Sequence, residues 1–218
     1  MTARYTLFIG SKNFSSWSLR PWLAMKLAKL PFEEVVIRLR TPETKGNILP
    51  HSPSGKVPAL LLEENGKRHT VWDSLAICET LAERHPRARL WPRSASRRAQ
   101  ARSIAAEMHS GFQALRSALP MEIAARHPTP ELDDATKAGI TRIVEMWTLA
   151  LAENSKRGNF LFGPFTIADA FYAPVATRFA TYSVALPPAA RVYVKRILAL
   201  APMREWAKGA KAEVKEAD

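Results

Sequence analysis

The chain has 218 residues, enough for one large domain or two ordinary ones, and its 47% hydrophobic and 24% charged content suits a protein with a sizeable buried core. A single cysteine, Cys78, excludes an intramolecular disulfide and a thiolate metal cluster, and favours a reducing, cytoplasmic setting. The net charge of +12 favours anionic partners through long-range attraction. Part of that excess lies in Arg84, Arg87, Arg89, Arg93, Arg97, Arg98 and Arg102, which come without a zinc-finger spacing, an RNA-binding strand signature or interleaved aromatics. They read as a solvated stretch between domains, and neither nucleic acid nor a membrane is an expected partner.

In chain order, Tyr5, Leu7 and Ile9 alternate as one face of a first strand. This run breaks at Gly10-Ser11-Lys12, too short for a secretory h-region or a membrane span. Leu19, Leu23 and Leu27 then recur every fourth residue, so a helix follows, with the serines before it as N-cap candidates and Pro21 expected in or near its first turn. Val35-Val36-Ile37, Ala59 to Leu62 and the stretch around Thr70-Val71 read as further strands, the last two joined by a hairpin at Asn65-Gly66. Asp73 is placed to cap a helix from Ser74 to about Arg84, ending before Pro86.

After Pro92 only helical patterns remain. Ile104, Met108, Phe112, Leu115 and Leu119 form one predicted stripe, and Ile140, Val144, Trp147 and Leu151 another. Further helices are predicted from Ile167 to Tyr182, from Ala189 to Leu200 and from Pro202 onward, with Thr166 and Asp169 spaced as a capping pair that serves folding. The expected fold is an α/β thioredoxin-like domain over residues 1–85, a linker over 86–93 and an all-α helical bundle over 94–218.

Three segments together resemble the glutathione transferase family, over essentially the whole chain and nearest in layout to its maleylacetoacetate isomerase-like class. They are Ser11 to Arg20, Ser54-Gly55-Lys56-Val57-Pro58-Ala59-Leu60, and Trp72-Asp73-Ser74-Leu75-Ala76-Ile77. The resemblance implies glutathione as co-substrate, no metal, a hydrophobic electrophile as second substrate, and a homodimer. A free thiol has a pKa of about 8.5, so the chemical task is to stabilise the thiolate. A hydroxyl at the positive end of a helix does so by donating a hydrogen bond to sulfur. Ser15 is the first choice for that hydroxyl and Ser16 the second, while gapless alignment from the strand puts Asn13 at the family's serine position.

The same resemblance implies a cis Val57-Pro58 bond whose valine pairs with the peptide of glutathione, and Lys45 or Lys56 reaching the glycyl carboxylate. It also implies Ser74 on the γ-glutamyl carboxylate and Asp73 on the ammonium. Phe14, Trp17, Met108, His109 and Phe112 are the candidate walls of the second pocket. No cysteine stands in the first loop, which points away from mixed-disulfide reductase chemistry. The loop also lacks the Ser-Ser-Cys pattern of the isomerase-like class, which points away from isomerisation of maleylacetoacetate although the overall layout is similar.

Overall fold

The computed structural model describes residues 3–216. Its first part is a four-stranded sheet in the order β2-β1-β3-β4, where β1 is Arg4–Gly10, β2 Glu33–Ile37, β3 Ala59–Glu64 and β4 Lys67–Trp72. Helix α1 (Ser16–Leu27) carries the chain from β1 to its parallel neighbour β2, and β3 runs antiparallel to both β1 and β4. Asn65 and Gly66, at φ 53° and 73°, make the two-residue turn that matches strand twist, so Glu64 faces Lys67. A short α2 (Thr44–Ile48) precedes β3, and α3 (Ser74–Arg84) follows β4.

The second part is all helical: α4 (Ala95–Ser110), α5 (Gln113–Ala118), α6 (Asp134–Asn154), α7 (Ile167–Thr181), α8 (Pro188–Leu198) and α9 (Ala201–Lys215). Helix α7 runs through its middle, buried along nearly its whole length and packed on α1, α4 and α8. Trp147 of α6 meets the rings of Tyr172, Phe179 and Tyr193 at centroid distances of 4.8–5.7 Å, making an aromatic core. Because α1 lies between the sheet and α7, residues Ser18 to Met25 are buried on every side, not along one stripe. The helix begins at Ser16, so Pro21 falls in its second turn.

Two predicted stripes are redrawn. The helix expected through Ile104, Met108, Phe112, Leu115 and Leu119 is two helices, because the chain turns at Gly111 and Phe112 takes a left-handed φ of 60°. A Cβ at residue 111 would lie 2.8 Å from the Glu107 carbonyl oxygen, so glycine is required there. Arg116 folds back to close the end of α4, donating to the carbonyls of Gly111 (3.1 Å), His109 (3.5 Å) and Met108. In α6 only Trp147 of the predicted stripe is fully buried. Ile143, Met146 and Ala150 share that burial, while Ile140, Val144 and Leu151 lie half-buried beside it.

Candidate functional site

Strand β4 delivers the chain to α3 through Asp73, which sits at φ 77° and ψ 135°. One Asp73 carboxylate oxygen caps the helix by accepting the N–H groups of Leu75 (2.8 Å) and Ala76 (3.2 Å). Its other oxygen lies 3.2 Å from His109 Nε2. Burial first, and the cations Arg20 and Arg116 after it, hold the His109 imidazole below its ordinary pKa despite Asp73. The two groups lie side by side without a hydrogen bond between them, and His109 Nδ1 is buried without a partner.

Beside this cap, Ser74 is buried, and its Oγ accepts from Arg20 Nη1 at 3.4 Å, which leaves the serine's own proton uncommitted. Arg20 is fully buried between the rings of Trp17 (4.2 Å) and Phe171 (4.7 Å), with Nε and Nη2 unpaired. Desolvation, with Arg116 next, pushes its pKa well down. This cation was not among the expected site residues. Its one sequence signal is a charge inside the apolar run Leu19-Arg20-Pro21-Trp22-Leu23. The Val57-Pro58 peptide ahead of β3 is cis, and Val57, half-buried, pairs its N–H and C=O with no other main-chain group. Lys45 and Lys56 are both exposed.

The three candidates at the α1 end are all buried and separately engaged. Ser15 stands at the N-cap but gives no side-chain cap to the helix; its hydroxyl donates to Ser18 Oγ at 2.7 Å, which also accepts the Gly10 N–H at 3.1 Å. Ser16 accepts from Arg178 Nη2 of α7 at 3.2 Å. Burial brings the Arg178 guanidinium down to about 10, and its other nitrogen holds the Leu119 and Arg116 carbonyls at the end of α5. Asn13 Oδ1 accepts the Ala124 N–H at 3.0 Å, stitching the loop to the helical part.

The expected second-pocket residues are not brought to one place. Trp17 meets His109 edge to face at 5.2 Å. Met108 is buried core, and Phe112 belongs to the turn between α4 and α5. Phe14 lies apart, stacked under the Arg40 guanidinium at 3.9 Å, in a cleft of about 450 Å³ also lined by Asn13, Leu39, Thr41, Glu213 and Val214. Its far wall comes from the end of α9, which no local pattern near Phe14 signals. Among the described residues no group of three or more His, Cys, Asp or Glu side chains gathers as for a metal ion, and no helix is long and apolar enough to cross a membrane. Cys78 is buried in α3, and burial pushes its thiol far up.

A mixed β-α domain with a cis proline before β3, joined to a helical bundle, is the architecture of glutathione transferases. The family model described as glutathione S-transferase, N-terminal domain, matches residues 14–84, and the one described as glutathione S-transferase, C-terminal domain, matches residues 99–209. The chain belongs to the glutathione transferase family. Over 104 residues it is 32% identical to a probable maleylacetoacetate isomerase of Caenorhabditis elegans, a match that covers 48% of this chain and 46% of that protein. The matched stretch thus spans just under half the length of that relative.

Among solved structures, a glutathione transferase homolog from Burkholderia gl BGR1 with bound glutathione has TM-score 0.71 and 23% identity, covering 96% of this chain and 99% of that one. A maleylacetoacetate isomerase from Anaeromyxobacter dehalogenans 2CP-1 with glutathione in its active site has TM-score 0.65 and 25% identity, covering 94% and 95%. Two of these similar proteins are maleylacetoacetate isomerases by name, one of them called probable.

Proposed function

We propose that the protein is a glutathione-dependent enzyme whose thiolate adds to an electrophilic carbon of a second, small substrate. The observation that carries this reading is the joint presentation, at the end of the β3–β4 pair where Ala59 faces Trp72, of an unpaired Val57 main chain and a Ser74 hydroxyl free to donate at the start of α3. An extended peptide can pair with the first, and a carboxylate suits the second, backed by the Ser74 N–H at the start of the helix and by buried Arg20. Lys45 and Lys56 stand in solvent where they can meet a second carboxylate. Ser15, at the N-terminal end of α1, activates sulfur by turning its proton from Ser18 to the thiol. Ser18 keeps the Gly10 N–H as a donor, so that exchange leaves no group stranded.

The likeness to maleylacetoacetate isomerases favours isomerisation: the thiolate adds to one carbon of a cis double bond, the resulting single bond turns, and the thiolate leaves, so glutathione is not consumed. The second reading is transfer, in which the adduct is released as a thioether. The apolar side chains of Phe14, Leu39 and Val214 in the cleft favour that reading for a hydrophobic electrophile. Product analysis separates them, since only transfer depletes glutathione stoichiometrically.

The deciding test is an ultraviolet titration of the thiolate of bound glutathione. A thiolate band is expected well below the free thiol's pKa of about 8.5 in the wild type, and largely lost in Ser15→Ala. The loss should correspond to roughly 1.5–3 kcal/mol, that of one hydrogen bond to a charged group. Ser16→Ala and Asn13→Ala are run beside it, and retention of the band in Ser15→Ala with loss in either of those would reassign the hydroxyl. Bound glutathione with an ordinary thiol would make the protein a binder, not an enzyme.

A further inference from the structure

The loop between β1 and α1 is held at its main chain by residues about two hundred positions away. Glu213 of α9 accepts both the Lys12 N–H (2.9 Å) and the Asn13 N–H (3.2 Å), one on each carboxylate oxygen. Trp206, two turns earlier, donates its indole N–H to the Lys12 carbonyl at 2.8 Å. Gly209 lies between them on the same face, and a Cβ there would sit 2.7 Å from Lys12 Cδ. Residues 206, 209 and 213 are spaced by three and four, so one stripe of α9 faces this loop.

Lys12 fills the space so made. Its ammonium lies 2.6 Å from Glu34 and within 6 Å of the Trp22 and Trp206 ring centroids. Trp22 in turn donates to the other oxygen of Glu34. Amide donors and a carbonyl that an ordinary loop would leave to water are thus all engaged by one helix, just ahead of Ser15 in the chain. The last turns of α9 also wall the Phe14 cleft through Glu213 and Val214.

We infer that α9 is a clasp for the thiol-activating loop, with Glu213 and Trp206 as positioning residues that set where Ser15 stands. This rests on the reading of Ser15 given above. A hydroxyl stabilises a thiolate only within hydrogen-bond distance and near alignment, so a loop free to shift by a fraction of an ångström loses activation while the groups that would hold glutathione, Val57 and Ser74, stay in place. The arrangement also ties the second-substrate cleft to sulfur activation, since one carboxylate belongs to both.

The test compares Glu213→Ala and Trp206→Phe with Glu205→Ala, which removes an exposed α9 salt bridge to Lys26 that does not touch the loop. Expected for the first two is hydrogen exchange in a peptide spanning residues 11–16 at least tenfold faster than in the wild type. The thiol of bound glutathione should move at least half a pKa unit toward its free value, with glutathione affinity within twofold. Glu205→Ala should change neither. The clasp is overturned if Glu213→Ala leaves both readouts at wild-type values, or moves them no further than Glu205→Ala. An unshifted thiol in the wild type itself counts against the reading of the site, and the loop exchange then judges the clasp by itself.

Discussion

Two helix N-termini in this molecule are built from the same kinds of residue and are left in opposite states. At α7 the end is sealed: Asp169 accepts the N–H of Thr166 (2.8 Å) and its hydroxyl (3.1 Å), the N–H of Leu161 (3.0 Å) and the hydroxyl of Tyr193 (2.9 Å), all buried. At α1 the N-cap Ser15 caps nothing and lends its proton to a neighbouring serine. A sealed end spends its dipole and donors on the fold, whereas an uncapped one keeps them for something that arrives later.

The largest effect that would break this contrast is at the sealed end. Asp169→Ala leaves several buried donors without an acceptor and should lower the unfolding free energy by roughly 3–5 kcal/mol in urea denaturation. A loss under 1 kcal/mol would mean the box is ornamental. Ser15→Ala, by contrast, removes no helix cap and should cost less than about 1 kcal/mol of stability while abolishing most of the thiol shift. Next in size, Ser74→Ala should weaken glutathione binding about tenfold, or 1.4 kcal/mol by calorimetry, with turnover at saturating glutathione kept. Unchanged affinity there would remove Ser74 from the site.

The smallest expected effect concerns pH. The folded pKa of His109 is depressed, so the stability it contributes is present above the ordinary imidazole value of about 6.5 and is lost as pH falls through the folded one. His109→Gln, which removes the titrating group and keeps a polar side chain, should flatten the acid limb of the stability curve below about pH 6.5. A limb as steep as the wild type's would place the titration elsewhere.

Much of the fold was legible because local chemistry and tertiary role agree. Alternation marked β1, Asn65-Gly66 marked the turn between β3 and β4, and the Thr166–Asp169 spacing marked a box that burial then made stronger than a surface cap. The break at Gly111 was not legible, because apolar residues keep helical spacing straight across it and the signal for Phe112 lies in backbone sterics. In the site, the cis bond at Val57-Pro58 and the Asp73-Ser74 step stood out as local motifs. Arg20 did not, since nothing in its own segment reveals that α7 closes over it. The clasp is the extreme case: Lys12 and Glu213 carry no pattern in common, and only the packing of α9 onto α1 brings them together.

Cys78 gives the molecule a kind of chemical silence. The only sulfhydryl of the chain is buried in α3, with its proton held tightly by burial. A protein that handles a guest's sulfur gains from having none of its own within reach: no mixed disulfide traps the visitor, no second nucleophile competes for the electrophile, and oxidants find no thiolate to titrate. Its reactive sulfur is borrowed, and so is replaced with every new glutathione.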